Sequence, residues 1–211
     1  MNIADIRKDY QLQSLSESDV HSNPIAQFAK WWDEAMNSNI DEVNAMSLAT
    51  ANKSGVPSVR IVLLKGFSEK GFSFFTNYES RKGREIVENP VVSLAFFWKE
   101  LQRQVCVSGT IEKLTASESD EYFFSRPAGS RIGAWSSPQS SVISDRSILE
   151  NNVQKYTEKF GENIPRPAHW GGFLVIPNKI EFWQGRSSRL HDRILYTKQT
   201  NQDWKIERLA P

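Results

Sequence analysis

The chain has 211 residues, with 26 Lys and Arg against 25 Asp and Glu, a net charge of +1 and 39% hydrophobic content. That length fits one domain with at most a small appendage, and the near-neutral balance excludes a broad polyanion-binding face, so nucleic acid is not an expected partner. One cysteine, Cys106, excludes an intrachain disulfide, and three scattered histidines, His21, His169 and His191, form no ligand pattern, so no metal site is expected.

The start, MNIADIRKDY, carries no apolar signal-peptide core, and no run approaches the ~20 apolar residues of a membrane span. A cytoplasmic protein without a membrane partner is the expectation. Residues 1–22 are polar and aperiodic and read as an N-terminal arm, ordered only if something holds it; residues 23–211 read as a single domain. Asn23-Pro24 predicts a helix start, and Ile25, Phe28, Ala29 and Trp32 recur at helical spacing.

Near residue 45 the period changes to that of strands. Ala45–Ala51 and Val56–Leu64, joined by a turn at 52–55, predict a hairpin, and Phe72–Thr76 follows a second turn. Ser80 to Asn89 reads as a short helix stopped by Pro90, and Val91–Trp98 with Gln102–Leu114 as another hairpin. Thr115-Ala116-Ser117-Glu118 has the form of a capping box opening a helix. Leu149, Val153, Tyr156 and Phe160 form a further apolar stripe closed by Gly161. Strands are then expected at Gly172–Ile176, Lys179–Gln184, Ile194–Lys198 and Trp204–Leu209. Tight turns between strands, with few crossover helices, predict a mainly β fold: an antiparallel barrel with peripheral helices. No GxGxxG follows a strand, so a Rossmann cofactor site is unsupported.

Three groups of residues could carry chemistry. Arg60-Ile61-Val62-Leu63-Leu64-Lys65 puts a cation at each end of an apolar strand; alternation places the two on opposite faces, or Lys65 past the strand end. Arg81 and Lys82 fall in the first turn of a helix, where cations oppose the helix dipole; they are either solvated charges or half of a phosphate site. Tyr122 and Arg126, i and i+4 on a helix, with Ser130 nearby, form either a second anion clamp or a core Tyr beside an exposed Arg. Finally, if the segment is extended, alternation puts Arg189, His191 and Arg193 on one side, close to Trp183. That arrangement suits an electron-rich flat ring, or else it is an exposed loop with a titrating His.

RIVLLK (60–65), FFTNYESRKG (74–83), RQV (103–105), YFFSRP (122–127), IGAWSSPQSS (132–141), WGGF (170–173), EFWQG (181–185), RLHDR (189–193) and WKIERLAP (204–211) resemble, in order and from Arg7 to Pro211, the pyridoxine 5'-phosphate oxidase family. The resemblance implies a homodimeric split β-barrel with FMN held non-covalently at the dimer interface. The implied reaction takes pyridoxine 5'-phosphate or pyridoxamine 5'-phosphate to pyridoxal 5'-phosphate, with O2 as acceptor, H2O2 as product and ammonia released from the amine. On the family pattern FMN falls to Arg60, Ile61, Val62, Leu63, Leu64 and Lys65, to Phe75, Thr76, Arg81, Lys82 and Gln104, and to Gln139, Ser140, Trp183 and Arg193. The substrate phosphate falls to Lys65, Tyr122, Arg126 and Ser130. Its ring falls to Arg189, Leu190 and His191, under an arm of Arg7, Lys8, Asp9 and Tyr10. Arg189 is expected to orient the ring and support charge on the reduced flavin, and His191 to position the reacting hydroxyl or amine. The alternatives are another FMN split-barrel oxidoreductase, or a binding protein for flavin or pyridoxal phosphate without turnover.

Overall fold

The computed structural model describes residues 2–5 and 9–211. Helix α1 (Pro24–Met36) starts as predicted: Asn23 Oδ1 accepts from the Ile25 and Ala26 amides at 2.7 and 3.3 Å, and Pro24 occupies the first turn. Its inward stripe differs from the expected one. Ile25, Phe28, Trp31 and Ala35 are buried, whereas Ala29 and Trp32 lie at its edge, because the helix is turned against the barrel by less than a quarter turn from the expected face. Phe28 seats its ring 4.9 Å from both Phe67 and Phe72 and 5.2 Å from Phe96. Full burial of one such ring stabilises by roughly 1.5–3 kcal/mol.

The hairpin of β1 (Ala45–Ala51) and β2 (Pro57–Leu63) forms as expected, followed by β3 (Gly66–Ser68), β4 (Gly71–Asn77) and helix α2 (Arg81–Glu88). Strands β5 (Val91–Trp98) and β6 (Arg103–Lys113) precede helix α3 (Ala116–Ser125), whose Thr115–Glu118 capping box closes in both directions. Helix α4 (Ala128–Ser136) was not anticipated, since Gly129 and Gly133 interrupt its short apolar pattern. Helix α5 (Ser147–Phe160) buries less than its stripe implied: Val153 is 44% exposed, and only Tyr156 and Phe160 pack well, at 5.5 and 4.9 Å from Trp135.

Strand β7 (Trp170–Gln184) joins the two strands expected at 172–176 and 179–184. Pro177 does not break it because the ladder with β6 shifts register there, between Ser108 and Gly109, and needs no donor. A Cβ on Gly109 would stand 2.0 Å from the Ile176 carbonyl oxygen, so this close approach requires glycine. The bulge divides the sheet: the first part of β7 pairs with β4, the last part with β8 (Asp192–Lys198), and β9 (Trp204–Arg208) closes on β8. The order is β2-β1-β5-β6-β7-β4-β3 with β8 and β9 branching from β7, and every pairing is antiparallel. This is a mainly β half-barrel with helices at its periphery.

The polar arm is fastened over distance. Gln102 Oε1 accepts from the Gln11 and Leu12 amides, Leu15 is 5% exposed, and Arg208 donates to the Leu15 carbonyl and to Glu17. Among the described residues no helix is long and apolar enough to cross a membrane.

Candidate functional site

The first cluster lies where α2 meets the β1–β2 hairpin. Arg60, cross-strand from buried Leu48, donates through Nη1 to the Leu48 carbonyl (3.2 Å) and Thr50 Oγ1 (2.5 Å), and through Nη2 to Ser58 Oγ (2.5 Å). Ser80 caps α2 by accepting from the Gly83 amide. Gly83 itself can carry no side chain, because a Cβ would sit 2.0 Å from the Tyr78 carbonyl oxygen. Arg81 donates to Glu85 at 2.8 Å. Among the described residues Lys82 Nζ reaches only neutral oxygens: Gln139 Oε1 at 2.9 Å, Thr76 Oγ1 at 3.2 Å and Ser80 Oγ at 3.3 Å. Burial first, and the Arg60 charge second, push its ammonium down to about 8. With Arg60, Arg81 and Lys82 gathered at a helix N-terminus against the single carboxylate of Glu85, the cluster is short of negative charge, and its chemistry suits a phosphate.

The second cluster begins next door on β4, where Thr76 faces the first and Phe75 turns away from it. Phe75 stacks on Tyr122 at 4.0 Å, and both lie near-parallel to Trp170. Lys65 stands past the end of β2, its amide donating to the Ser73 carbonyl and its Nζ 5.9 Å from the Tyr122 ring centre. Tyr122 and Arg126 do not share a helical face as expected, because α3 stops at Ser125 and Arg126 is extended. They converge all the same: the Arg126 guanidinium lies 4.5 Å from the Trp170 ring. Among the described residues its Nη1 is buried without a hydrogen-bond partner, and burial lowers its pKa. An orphaned guanidinium nitrogen is costly unless an anion arrives. Ser130, exposed at the start of α4, donates its amide to the Pro127 carbonyl.

The third cluster occupies the far end of β7. Register places Gln104, Trp183 and Arg193 side by side on β6, β7 and β8. Arg193 is doubly bonded to Glu181, at 2.7 and 3.0 Å. The expected alternation through 189–193 does not occur. Ser187–Arg189 is a 3-10 turn with Ser188 and Arg189 at φ of 55° and 61°, which leaves Arg189 and Leu190 exposed and out of line with Arg193. His191 lies 4.7 Å from Trp183, and its Nδ1 accepts from the Arg186 amide at 3.0 Å. Tyr10 closes the corner, 5.9 Å from Trp183, and Asp9 Oδ1 accepts from the Ser188 amide. Arg7 and Lys8 lie outside the described residues. Thr50, Ser58 and Glu85 escaped the sequence reading, and Trp170 stood within WGGF without an assigned role; the hint for Glu85 was its place four residues after Arg81.

Residues 32–160 match the family model described as pyridoxamine 5'-phosphate oxidase, and residues 170–211 match the pyridoxine 5'-phosphate oxidase C-terminal dimerisation region. The chain belongs to the pyridoxine/pyridoxamine 5'-phosphate oxidase family. Proteins of that name from Nostoc sp. and Cupriavidus pinatubonensis are 57% and 56% identical to it, the first covering 99% of this chain and 98% of the relative, the second 99% of each. The chain is accordingly an enzyme of the oxidoreductase class. Among solved structures, PhzG from Burkholderia lata, determined with tetrahydrophenazine-1-carboxylic acid, superposes with a TM-score of 0.88 at 32% identity over 95% of this chain and 99% of that one. An FMN-binding protein from Nostoc punctiforme, related to the family, superposes at 0.71 with 18% identity over 90% of this chain and 98% of its own, which supports the split-barrel fold.

Proposed function

We propose that the chain oxidises pyridoxine 5'-phosphate or pyridoxamine 5'-phosphate to pyridoxal 5'-phosphate with FMN as cofactor and O2 as acceptor, forming H2O2, and ammonia from the amine. The observation that carries this reading is the presence of two anion-deficient cation clusters, Arg60 with Lys82 and Lys65 with Arg126, on either side of adjacent residues of β4. One suits the phosphoryl group of a cofactor and the other that of a substrate, which would hold two flat rings in a fixed relation. FMN, when bound, supplies the two-electron redox chemistry.

The chain supplies placement. Arg60, Arg81, Lys82 and the α2 amides hold the cofactor phosphoryl group, with Thr76, Gln139 and Ser140 beside it and the Ile61–Leu64 main chain and Phe75 along the ring. Lys65, Tyr122, Arg126 and Ser130 hold the substrate phosphoryl group. Because Nδ1 of neutral His191 accepts the Arg186 amide, its proton rests on Nε2. In that tautomer His191 donates a hydrogen bond to the substrate's reacting oxygen or nitrogen, a positioning role. Arg189 would orient the substrate ring and offset negative charge that bound FMN takes up in its redox chemistry. The arm at Asp9 and Tyr10 covers the ring.

Trp170 and Trp183 stand at opposite ends of β7, separated by on the order of 40 Å of strand contour with the register shift at Pro177 between them. The third cluster therefore completes the site from a second copy. The face of the sheet that carries Gln104, Trp183 and Arg193 also carries Val59, Ile61 and Phe97, which are 68%, 65% and 56% exposed. A twofold partner would bury these residues and bring its own Trp183 and His191 to the phosphate clusters. The deciding experiment adds FMN and then pyridoxine 5'-phosphate to the purified protein in air. Aldehyde with peroxide is expected. A colourless protein inert to phosphorylated B6 defeats the reading, and turnover of only an unphosphorylated heterocycle transfers the chain to the wider group of FMN split-barrel oxidoreductases.

A further inference from the structure

We propose that Glu85 is a positioning residue whose carboxylate, acting through the hydroxyls of Thr50 and Ser58, sets the Arg60 guanidinium for the phosphoryl group of the flavin. The proposal rests on the FMN reading above. Glu85 is 6% exposed on α2, and its Oε2 accepts from Thr50 Oγ1 and from Ser58 Oγ, each at 2.5 Å. A carboxylate has only lone pairs to offer, so both hydroxyl hydrogens are committed to it. Each hydroxyl oxygen then turns its own lone pairs outward, and these are what Arg60 meets: Nη1 on Thr50 and Nη2 on Ser58, both at 2.5 Å. The direct Arg60–Glu85 approach is longer, at 3.4 Å, so the guanidinium plane is fixed mainly through the two hydroxyls.

The other oxygen, Oε1, accepts from Arg81 Nε at 2.8 Å. One carboxylate thus gathers the two arginines flanking the α2 N-terminus. Burial pushes the Glu85 carboxyl up, but the bonds from Ser58, Thr50 and Arg81 reverse this and hold it at about 2, so it is ionised throughout the working pH range. With Arg60, Arg81 and Lys82 opposed by one carboxylate, the cluster keeps two positive charges, which match a phosphate dianion.

Two other roles make different forecasts. As a plain staple between α2 and the β1–β2 hairpin, Glu85 would support every flavin alike. As a mere negative charge near the pocket, it would repel the phosphoryl group, and its removal would tighten binding. Riboflavin, which is FMN without the phosphoryl group, separates the three. We expect Glu85→Ala to weaken FMN roughly tenfold, as read by quenching of flavin fluorescence, while riboflavin shifts by less than about twofold. Glu85→Gln, whose amide oxygen can still accept from both hydroxyls while its amide nitrogen gives up the bond from Arg81, should return FMN affinity to within about threefold of wild type. Thr50→Val leaves the carboxylate in place and removes one relay, so it should reproduce part of the loss; it also decides the matter alone if Glu85→Ala does not fold. Equal weakening of both flavins, or tighter FMN in Glu85→Ala, overturns the proposal. If the wild-type protein itself bound no FMN, the functional reading would fail instead.

Discussion

The pocket at α2 and the corner at His191 hold their groups by different means. Around Arg60 and Lys82, every side chain but Gln139, which comes from the turn after α4, issues from a regular element or its cap: β2, β1, β4 and α2. Around His191, the parts are an arm, a strained 3-10 turn and a strand end, drawn together by bonds between residues almost the whole chain apart, such as Leu15 to Asp192 and Ser188 to Asp9. The first is a fixed receptor whose unmet need is charge. The second is an assembled cover whose need is registration. Substitutions in the two should therefore separate into effects on cofactor affinity and effects on turnover or substrate affinity.

The largest expected effect is on the fixed side. Arg60→Ala removes a charge-assisted contact, leaves Thr50 and Ser58 without their cation and leaves Glu85 with Arg81 alone. We expect the FMN dissociation constant to rise about 100-fold by fluorescence titration, corresponding to roughly 2.7 kcal/mol. A change below threefold would remove Arg60 from the cofactor site.

Arg189→Ala, on the assembled side, should lower kcat about 30-fold while FMN stays bound at full stoichiometry. Recovery of apo-protein would erase the division between the regions. If the two regions meet across a twofold axis, co-expressed Arg60→Ala and Arg189→Ala chains should regain roughly a quarter of wild-type sites, because mixed dimers carry one intact site each. Failure to complement would place both regions in one subunit.

The same difference governs what the sequence disclosed. The strands, the Asn23 cap and the Thr115 capping box were legible because each is written in neighbouring residues. Arg60 and Lys82 could be singled out as cations in an apolar strand and at a helix start, although Arg60 stands at the middle of β2 and not at its end. Glu85 was hidden, because its partners on β1 and β2 become neighbours only after hairpin and helix pack. Arg189, His191 and Arg193 misled, since alternation assumes an extended chain and the left-handed residues Ser188 and Arg189 break it. Helix α4 was concealed by its glycines.

Lys82 gives the fixed pocket a pH signature of its own. Its folded value near 8 lies below the ordinary 10.5, so between those pH values the unfolded chain binds a proton that the folded one has released. Stability of the free protein therefore gains from this group as pH rises through that window. FMN affinity runs the other way, because the phosphoryl group favours the ammonium. Above about pH 8 it should fall, by at most about tenfold per pH unit, while riboflavin affinity stays level. Parallel profiles for the two flavins would detach Lys82 from the phosphate.

The smallest effect is also the sharpest test of the cover. A Cβ on Gly185 would stand 2.6 Å from Tyr10 Cδ2 and 2.8 Å from Cγ, so the root of the ring, not its flexible tip, must move. The Gly185 amide bonds to the Gln102 carbonyl, a contact that a methyl group leaves intact, so the end of β7 should hold its place. Gly185→Ala therefore displaces the arm without touching the pocket at α2. Substrate KM should rise about three- to fivefold, with FMN affinity and Tm unchanged. A KM equal to wild type would mean that Tyr10 packs beside the site without closing it, and a fall in FMN affinity would mean that the arm belongs to the receptor instead of the cover.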